Sequence, residues 1–111
     1  MEMYKKELDV AKNIKIIESL KCELLSDLSQ LYSGMANPDS MEQQERDDIL
    51  ANMIMVTYML AKKLGVPYHT LDLKILNKLK VGIIQNSDNE WYKEIAGLSR
   101  HIEKSRRLDI E

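Results

Sequence analysis

The longest stretch without a charged side chain is Ile49-Leu-Ala-Asn-Met-Ile-Met-Val-Thr-Tyr-Met-Leu-Ala61. A helix that crosses a membrane needs about 18 or more such residues, so this stretch is too short to span one. Apolar side chains surround almost the whole helix in the middle of the stretch, and such a helix must be covered on several sides. Four short helices in 111 residues offer too little surface for this cover within one subunit. The stretch therefore predicts a buried helix in a protein that forms a dimer.

The composition of the whole chain points to the same class of fold. Four Gly and two Pro are too few for the many turns of a β-sandwich or barrel, which favours an all-α protein. A net charge of -2 argues against direct nucleic-acid binding. The single Cys22 cannot form an internal disulfide, and residues 1–10 lack the apolar core of a signal peptide. These features predict a cytoplasmic protein.

The spacing of apolar residues predicts one domain, residues 1–111, built from about four helices. We expect these helices at residues 8–33, 40–65, 70–81 and from 88 onward. The packed core should extend over about residues 8–103, with a frayed tail at 104–111. Because their connections are short, the helices should pack antiparallel as a bundle.

Local signals set these expected helix ends. Gly34 and Gly82 are expected to stop the first and third helices, and Gly65, followed by Pro67, the second. Ser40 with Gln43 and Ser87 with Glu90 have the form of capping boxes. The expected core positions follow at spacings of three and four: Ile17, Leu20, Leu24, Leu28 and Leu31 on the first helix, and Trp91, Ile95, Leu98 and Ile102 on the last.

Two strips of oxygen-bearing side chains border the first two helices. Glu23 and Asp27 are four residues apart on the first helix, and Glu45, Asp48 and Asn52 share one strip of the second. Antiparallel packing would bring both strips to the same end of the helix pair. Carboxylate and amide oxygens suit Mg²⁺, with Mn²⁺ as a substitute, and Mg²⁺ often takes further ligands from substrate phosphates. The hypothesis is a magnesium-dependent phosphate site.

A structural interpretation stands beside this hypothesis. Acidic residues border most amphipathic helices, so the same side chains can be solvated charges that flank the core. Asn52 is the only strongly polar side chain between Ile49 and Val56, and a buried amide needs hydrogen-bond partners. It can serve as a ligand, or it can fix the register of two helices as buried Asn does in coiled coils.

Several segments of the chain resemble the MazG-like family, small bacterial relatives of the MazG nucleotide pyrophosphohydrolases. Asp48-Ile-Leu-Ala-Asn-Met-Ile-Met-Val-Thr-Tyr-Met-Leu-Ala-Lys-Lys-Leu-Gly-Val66 is similar to the second helix of these proteins. Further similar segments are residues 13–25, 76–83 and 90–99, so the resemblance extends over about residues 10–103. It implies an all-α bundle that forms dimers or tetramers. It also implies a site that splits nucleoside triphosphates into monophosphate and pyrophosphate with Mg²⁺.

The metal motifs of that superfamily are only partly matched. Glu23 and Asp27 match the outer acids of the Glu-Glu-x-x-Glu motif on the first helix, and Leu24 takes the middle acidic position. The Glu-x-x-Asp motif of the second helix, aligned through Leu64-Gly65, falls on Ile49 and Asn52. Asp48 lies one residue from the first of these positions, and Glu45-Arg-Asp-Asp48 spells the motif about one turn early.

The resemblance thus implies that Glu23, Asp27, Asp48 and Asn52 hold the metal, with Glu45 as a further ligand. Basic residues near the end of the third helix face the triphosphate in the superfamily, which points to Lys78 and Lys80 as substrate contacts. Trp91 could stack on a base. The alternatives are favourable charge near a helix C-terminus for the two lysines, and a core position for Trp91. The catalytic residues are unassigned, and a non-catalytic helical oligomer that keeps only the fold is the alternative function.

Overall fold

The computed structural model describes residues 2–88 and 90–110 of the chain. These residues form four α-helices and one short 3-10 helix and contain no β-strand, so the all-α prediction is confirmed. The helices are α1 (Glu2–Ala36), the 3-10 helix (Pro38–Ser40), α2 (Gln43–Lys63), α3 (Tyr68–Gln85) and α4 (Trp91–Ile110). The chain divides into two compact units, Met1–Val66 and Pro67–Glu111. The single domain expected from the sequence stays a prediction.

The first unit is a hairpin in which α1 and α2 pack side by side. Met41, just before α2, lies against Gly34 near the end of α1, whereas Lys63, the last residue of α2, lines a cleft with Asp9 and Asn13. The two helices are therefore antiparallel. Among the described residues of this hairpin, the buried apolar side chains are Leu20 on α1 and Val56 on α2, and Val56 is wholly buried.

α1 is longer than the sequence signals indicated, and the expected stop at Gly34 is wrong. The helix begins at Glu2 because residues 2–7 are mostly good helix formers without a breaker. It also continues through Gly34 to Ala36. Gly34 is buried within the helix, and a Cβ atom placed there would lie 2.5 Å from the Met41 Sδ. The glycine therefore permits the close approach of Met41 and does not end the helix.

The start and the end of α2 differ in how well they were predicted. The capping box at Ser40 is wrong, because Ser40 belongs to the 3-10 helix and its hydroxyl donates to the Asn37 carbonyl at 2.7 Å. The end is confirmed: Gly65 has a φ of 92°. The Val66 N–H donates to the Ala61 carbonyl and the Gly65 N–H to the Lys62 carbonyl, which is the pattern of a Schellman motif.

The second unit pairs α3 with α4. The expected stop at Gly82 is wrong, since α3 continues to Gln85 and the Gly82 carbonyl accepts from the Asn86 side chain at 2.8 Å. Ile95 of α4 packs on Gly82, and this tertiary contact outweighs the small cost of glycine within a helix. α4 begins at Trp91, past the proposed Ser87–Glu90 capping box, and continues to Ile110 where a frayed tail was expected.

Two of the apolar positions expected on α4 are exposed. Trp91 and Leu98 face solvent, while Ile95 and Ile102 are half-buried and Ser99 is buried. The face of α4 that packs therefore contains Ile95, Ser99 and Ile102 and overlaps the predicted stripe only in part. A core position for Trp91, the alternative drawn from the sequence, is wrong.

No single helix in residues 2–88 and 90–110 combines the length and the apolar character needed to cross a membrane. α2 and α3 meet these criteria only when the two are counted together across the break between them.

Gly34 and Gly97, two of the three glycines that lie within helices, form a matched pair for testing the close contact at Met41. We expect Gly34→Ala to lower the free energy of unfolding by about 1 kcal/mol, because overpacking at Met41 outweighs the better helix propensity of alanine. Gly97→Ala has open space around the new methyl group and should raise it by up to about 1 kcal/mol. Urea denaturation followed by circular dichroism measures both. Equal stabilisation by the two changes would contradict the contact.

Candidate functional site

The face of α1 that packs on α2 contains a carboxylate. Its buried and half-buried positions include Leu20, Leu24, Asp27 and Leu31, at spacings of four, three and four. Leu28, expected in the core, is 50% exposed. The prediction was wrong there because apolar spacing alone favours the leucine over its acidic neighbour. An acid can take the inward position when the other helix supplies a hydrogen-bond donor.

That donor is Asn52 of α2. Its Nδ2 atom donates to the Glu23 Oε1 at 3.0 Å and to the Asp27 Oδ2 at 2.5 Å. The bond to Asp27 is partly buried, and the bond to Glu23 is exposed. Each proton of the carboxamide thus has its own carboxylate. Three of the residues proposed from the sequence therefore meet between the two helices.

The two other acids of the proposed metal set do not join this group. Asp48 and Glu45 are exposed, one and two turns before Asn52 on α2. Glu45 lines a cleft beside the α1–α2 connection together with Ser29, Ser33 and Ile49. Across the described ranges of the chain, no three His, Cys, Asp or Glu side chains come together in a group that could hold a metal ion. The protein carboxylates at the site are thus the pair that Asn52 joins.

The kinds of atoms at the site fit magnesium, although they do not enclose it. Two carboxylates and the amide oxygen of Asn52 are hard donors of the type that Mg²⁺ prefers. The Glu23 and Asp27 oxygens both reach one nitrogen atom, so they converge closely enough to serve one small cation. The remaining positions of an octahedral shell would have to come from water or from a bound ligand.

Two cations on the same helices differ in their pairing. Lys21 donates to the Glu18 Oε1 at 2.8 Å, and this hydrogen bond and charge raise the pKa of Lys21 above its usual value. The pair is exposed, so it adds little to stability. Arg46 has the spacing of the α2 face that packs on α1, and its Nε is buried with no hydrogen-bond partner among the described residues. Sequence reasoning missed Arg46, because an arginine between Glu45 and Asp47 is typical of a solvated helix face.

The proposed substrate residues belong to the second unit. Lys78 and Lys80 are exposed on α3, and Lys78 lines a shallow cleft with Val81, Gly82 and others. Trp91, the first residue of α4, is 64% exposed. Each of the three is accessible to a ligand in the part of the chain that the structure describes. Their role in substrate binding stays a prediction.

Together, the fold and the site define an all-α protein with two carboxylates and an amide at the interface of paired helices. The model of the MazG-like family matches residues 10–95. The chain belongs to the MazG-like family, as its sequence resemblance predicted. Searches of curated proteins and of solved structures found no match to this chain.

Proposed function

We propose that the protein binds the phosphates of a nucleoside triphosphate together with Mg²⁺ at the α1–α2 site. The observation that carries this proposal is the convergence of Glu23 and Asp27 on one point between the helices. Family membership supports it, because the MazG-like family is related to nucleotide pyrophosphohydrolases. The protein would act in the cytoplasm.

Glu23, Asp27 and the amide oxygen of Asn52 would hold the metal, and Mn²⁺ would serve as a substitute. Asp48, one turn away on α2, would add a ligand or orient a bound water. When bound, the metal supplies positive charge that neutralises the phosphates. The rest of the metal shell would come from water and phosphate oxygens, which is common for Mg²⁺ in nucleotide-binding proteins.

Arg46 supports a phosphate ligand independently of the metal. Six residues before Asn52, it lies about 9 Å away along the helix axis. A buried guanidinium nitrogen without a partner is unfavourable unless a ligand or water satisfies it. A phosphate oxygen is a suitable acceptor for this group.

Hydrolysis to a monophosphate and pyrophosphate is the reaction that we propose for a bound triphosphate. It requires a base or a positioned water in addition to the metal. Leu24 and Ile49 occupy positions that carry acids in the superfamily motif, so Asp48 is the carboxylate that remains to position a water. Pyrophosphate release measures this reaction separately from binding.

A second candidate function is a non-catalytic helical oligomer. It is favoured by the hydrogen bonds of Asn52, which already satisfy both carboxylates without a cation. In that case Asn52 fixes the register of α1 on α2, and the exposed acids are surface charges.

Thermal melting with Mg²⁺ and a panel of nucleoside triphosphates distinguishes the two candidates. A ligand that binds only the folded protein at a hundredfold excess over its Kd stabilises it by about 2.7 kcal/mol. We expect at least one triphosphate to raise the Tm by several degrees in the presence of Mg²⁺. Glu23→Gln, Asp27→Asn and Asp48→Asn should each reduce this shift.

The control for these variants is Asp47→Asn, which removes an exposed carboxylate from α2, next to Asp48. Asp47 accepts from Gln43 at 2.8 Å and lies outside the Asn52 group. Its Tm shift should equal that of the unchanged protein. If no triphosphate shifts the Tm, or if Asp47→Asn weakens the shift as much as the site variants do, the proposal fails.

The proposed contact of Trp91 with a base can be tested by fluorescence, because Trp91 is the single tryptophan of the chain. If a base stacks on its ring, a nucleoside triphosphate with Mg²⁺ should quench its fluorescence, whereas inorganic triphosphate should not. Equal quenching by both ligands, or by neither, would remove Trp91 from the proposed substrate contacts.

We also propose that the protein forms a homodimer or a tetramer. α2 leaves large apolar side chains uncovered, with Ile54 62% and Met55 52% exposed. α1 likewise exposes Leu25 and Tyr32. Apolar area of this kind favours association, at about 25 cal/mol for each Å² that is buried.

Light scattering should give at least twice the monomer mass of 12.9 kDa at micromolar concentration. Ile54→Glu places a charge on the uncovered face and should shift the protein toward the monomer, because a charge at an interface must be desolvated. Gln44→Glu, at an exposed polar position of the same helix, is the control and should leave the mass unchanged. A monomer mass for the unchanged protein would contradict the proposal.

A further inference from the structure

The position of Asn52 raises the question of what keeps two carboxylates together on α1. Glu23 and Asp27 both turn an oxygen toward the same nitrogen atom. Like charges brought this close destabilise the folded protein unless a cation or a hydrogen-bond donor lies between them. The carboxamide of Asn52 supplies two protons, one for each carboxylate. The neutral carboxamide therefore holds the two carboxylates together, as a cation between them would.

The bond to Asp27 makes this arrangement part of the helix packing. Asp27 lies among the half-buried residues of α1 that face α2, and its bond to Asn52 is the partly buried one of the two. A buried carboxylate that loses its donor is left with an uncompensated desolvation cost. The bond to Glu23 is exposed and is replaced by water at lower cost.

We propose that Asn52 is an internal substitute for a divalent cation, so that the α1–α2 hairpin closes without metal and free Mg²⁺ is bound poorly. Free Mg²⁺ must lose tightly held water to bind, and here it must also break both hydrogen bonds of the carboxamide. In exchange it gains two carboxylates and one amide oxygen, which leaves the rest of its octahedral shell to water.

The free energy of binding is different for Mg²⁺ that is already bound to a polyphosphate. The phosphates provide most of its ligands and the additional contacts that offset the lost amide bonds. We infer that the metal enters as a complex with the nucleotide. This second part of the inference depends on the proposed function, whereas the closing of the hairpin by Asn52 does not.

The test compares the unchanged protein with Asn52→Asp. In EDTA at pH 7, we expect Asn52→Asp to lower the Tm by about 5 °C or more, because a third carboxylate replaces the donor of two hydrogen bonds. Adding 10 mM Mg²⁺ without nucleotide should restore most of the loss. The Tm of the unchanged protein should be the same in EDTA and in Mg²⁺.

The two hydrogen bonds that join Glu23 and Asp27 through Asn52 are called the bridge here. Two controls separate the effect of the bridge from general charge effects. Asn77→Asp makes the same chemical change at an exposed position of α3 and should alter the Tm by less than about 2 °C in either buffer. Sodium chloride at matched ionic strength should not reproduce the effect of Mg²⁺ on Asn52→Asp. If Asn52→Asp is as stable as Asn77→Asp in EDTA, or if Mg²⁺ alone raises the Tm of the unchanged protein, the inference is wrong.

A measurement on the unchanged protein covers the case in which Asn52→Asp does not fold. The side-chain amide signal of Asn52 in a ¹⁵N-correlated NMR spectrum can be assigned by its loss in Asn52→Gln. It should be unaffected by 10 mM Mg²⁺ alone and should shift on addition of Mg²⁺ with a nucleoside triphosphate. A shift with Mg²⁺ alone would overturn the inference.

The outcomes distinguish this inference from the proposed function. If the metal-free results are as expected but no nucleotide shifts the Tm or the amide signal, the bridge stands and nucleotide binding is excluded. If nucleotides bind while Asn52→Asp loses no stability in EDTA, the proposed function stands and the bridge is excluded.

Discussion

The packing of α1 on α2 depends on a polar contact placed among apolar ones. Asp27 occupies a position on the packing face where a leucine would ordinarily lie, and Asn52 must be opposite it. If α1 moved by one turn along α2, the acid would lose its donor and the cost of its partial burial would not be offset. Apolar contacts such as those of Leu20 and Val56 drive the helices together, but they tolerate small shifts better than hydrogen bonds do. The hydrogen bond between Asn52 and Asp27 therefore favours one register of α1 on α2.

The orientation of α2 against α1 also determines which apolar side chains of α2 remain uncovered. α2 turns Val56 toward α1, and this leaves Ile54 and Met55 on other sides of the helix. A helix that is apolar almost all round cannot bury its whole surface against one neighbour. Association of subunits is the ordinary way to cover the remainder. The exposed apolar faces and the polar contact with α1 are thus two consequences of one helix orientation.

The chemistry available to the site is limited by the number of its charges. Glu23 and Asp27 converge, whereas Asp48 and Glu45 remain exposed and Leu24 and Ile49 are apolar. A pair of carboxylates attracts a divalent cation less strongly than a larger cluster does, and it leaves more of the metal shell to the ligand. Family membership by itself gives the fold without guaranteeing the reaction. In this protein Asn52 belongs both to the helix packing and to the candidate site, because it donates to a carboxylate of each kind, one partly buried and one exposed.

The amino-acid sequence by itself determined the helical class, the number of helices, the stop at Gly65 and the set of acids from which a site could be built. These depend on local spacing and on a backbone conformation that glycine adopts at little cost. Only the tertiary structure decided that Gly34 and Gly82 lie within helices, that Asp27 faces inward in place of Leu28, and that Asn52 meets two acids while Asp48 does not. Each of these outcomes depends on a side chain from a different helix. Apolar spacing along one helix does not specify the rotation of that helix against its neighbour, because a polar residue can face inward wherever the other helix offers it a partner.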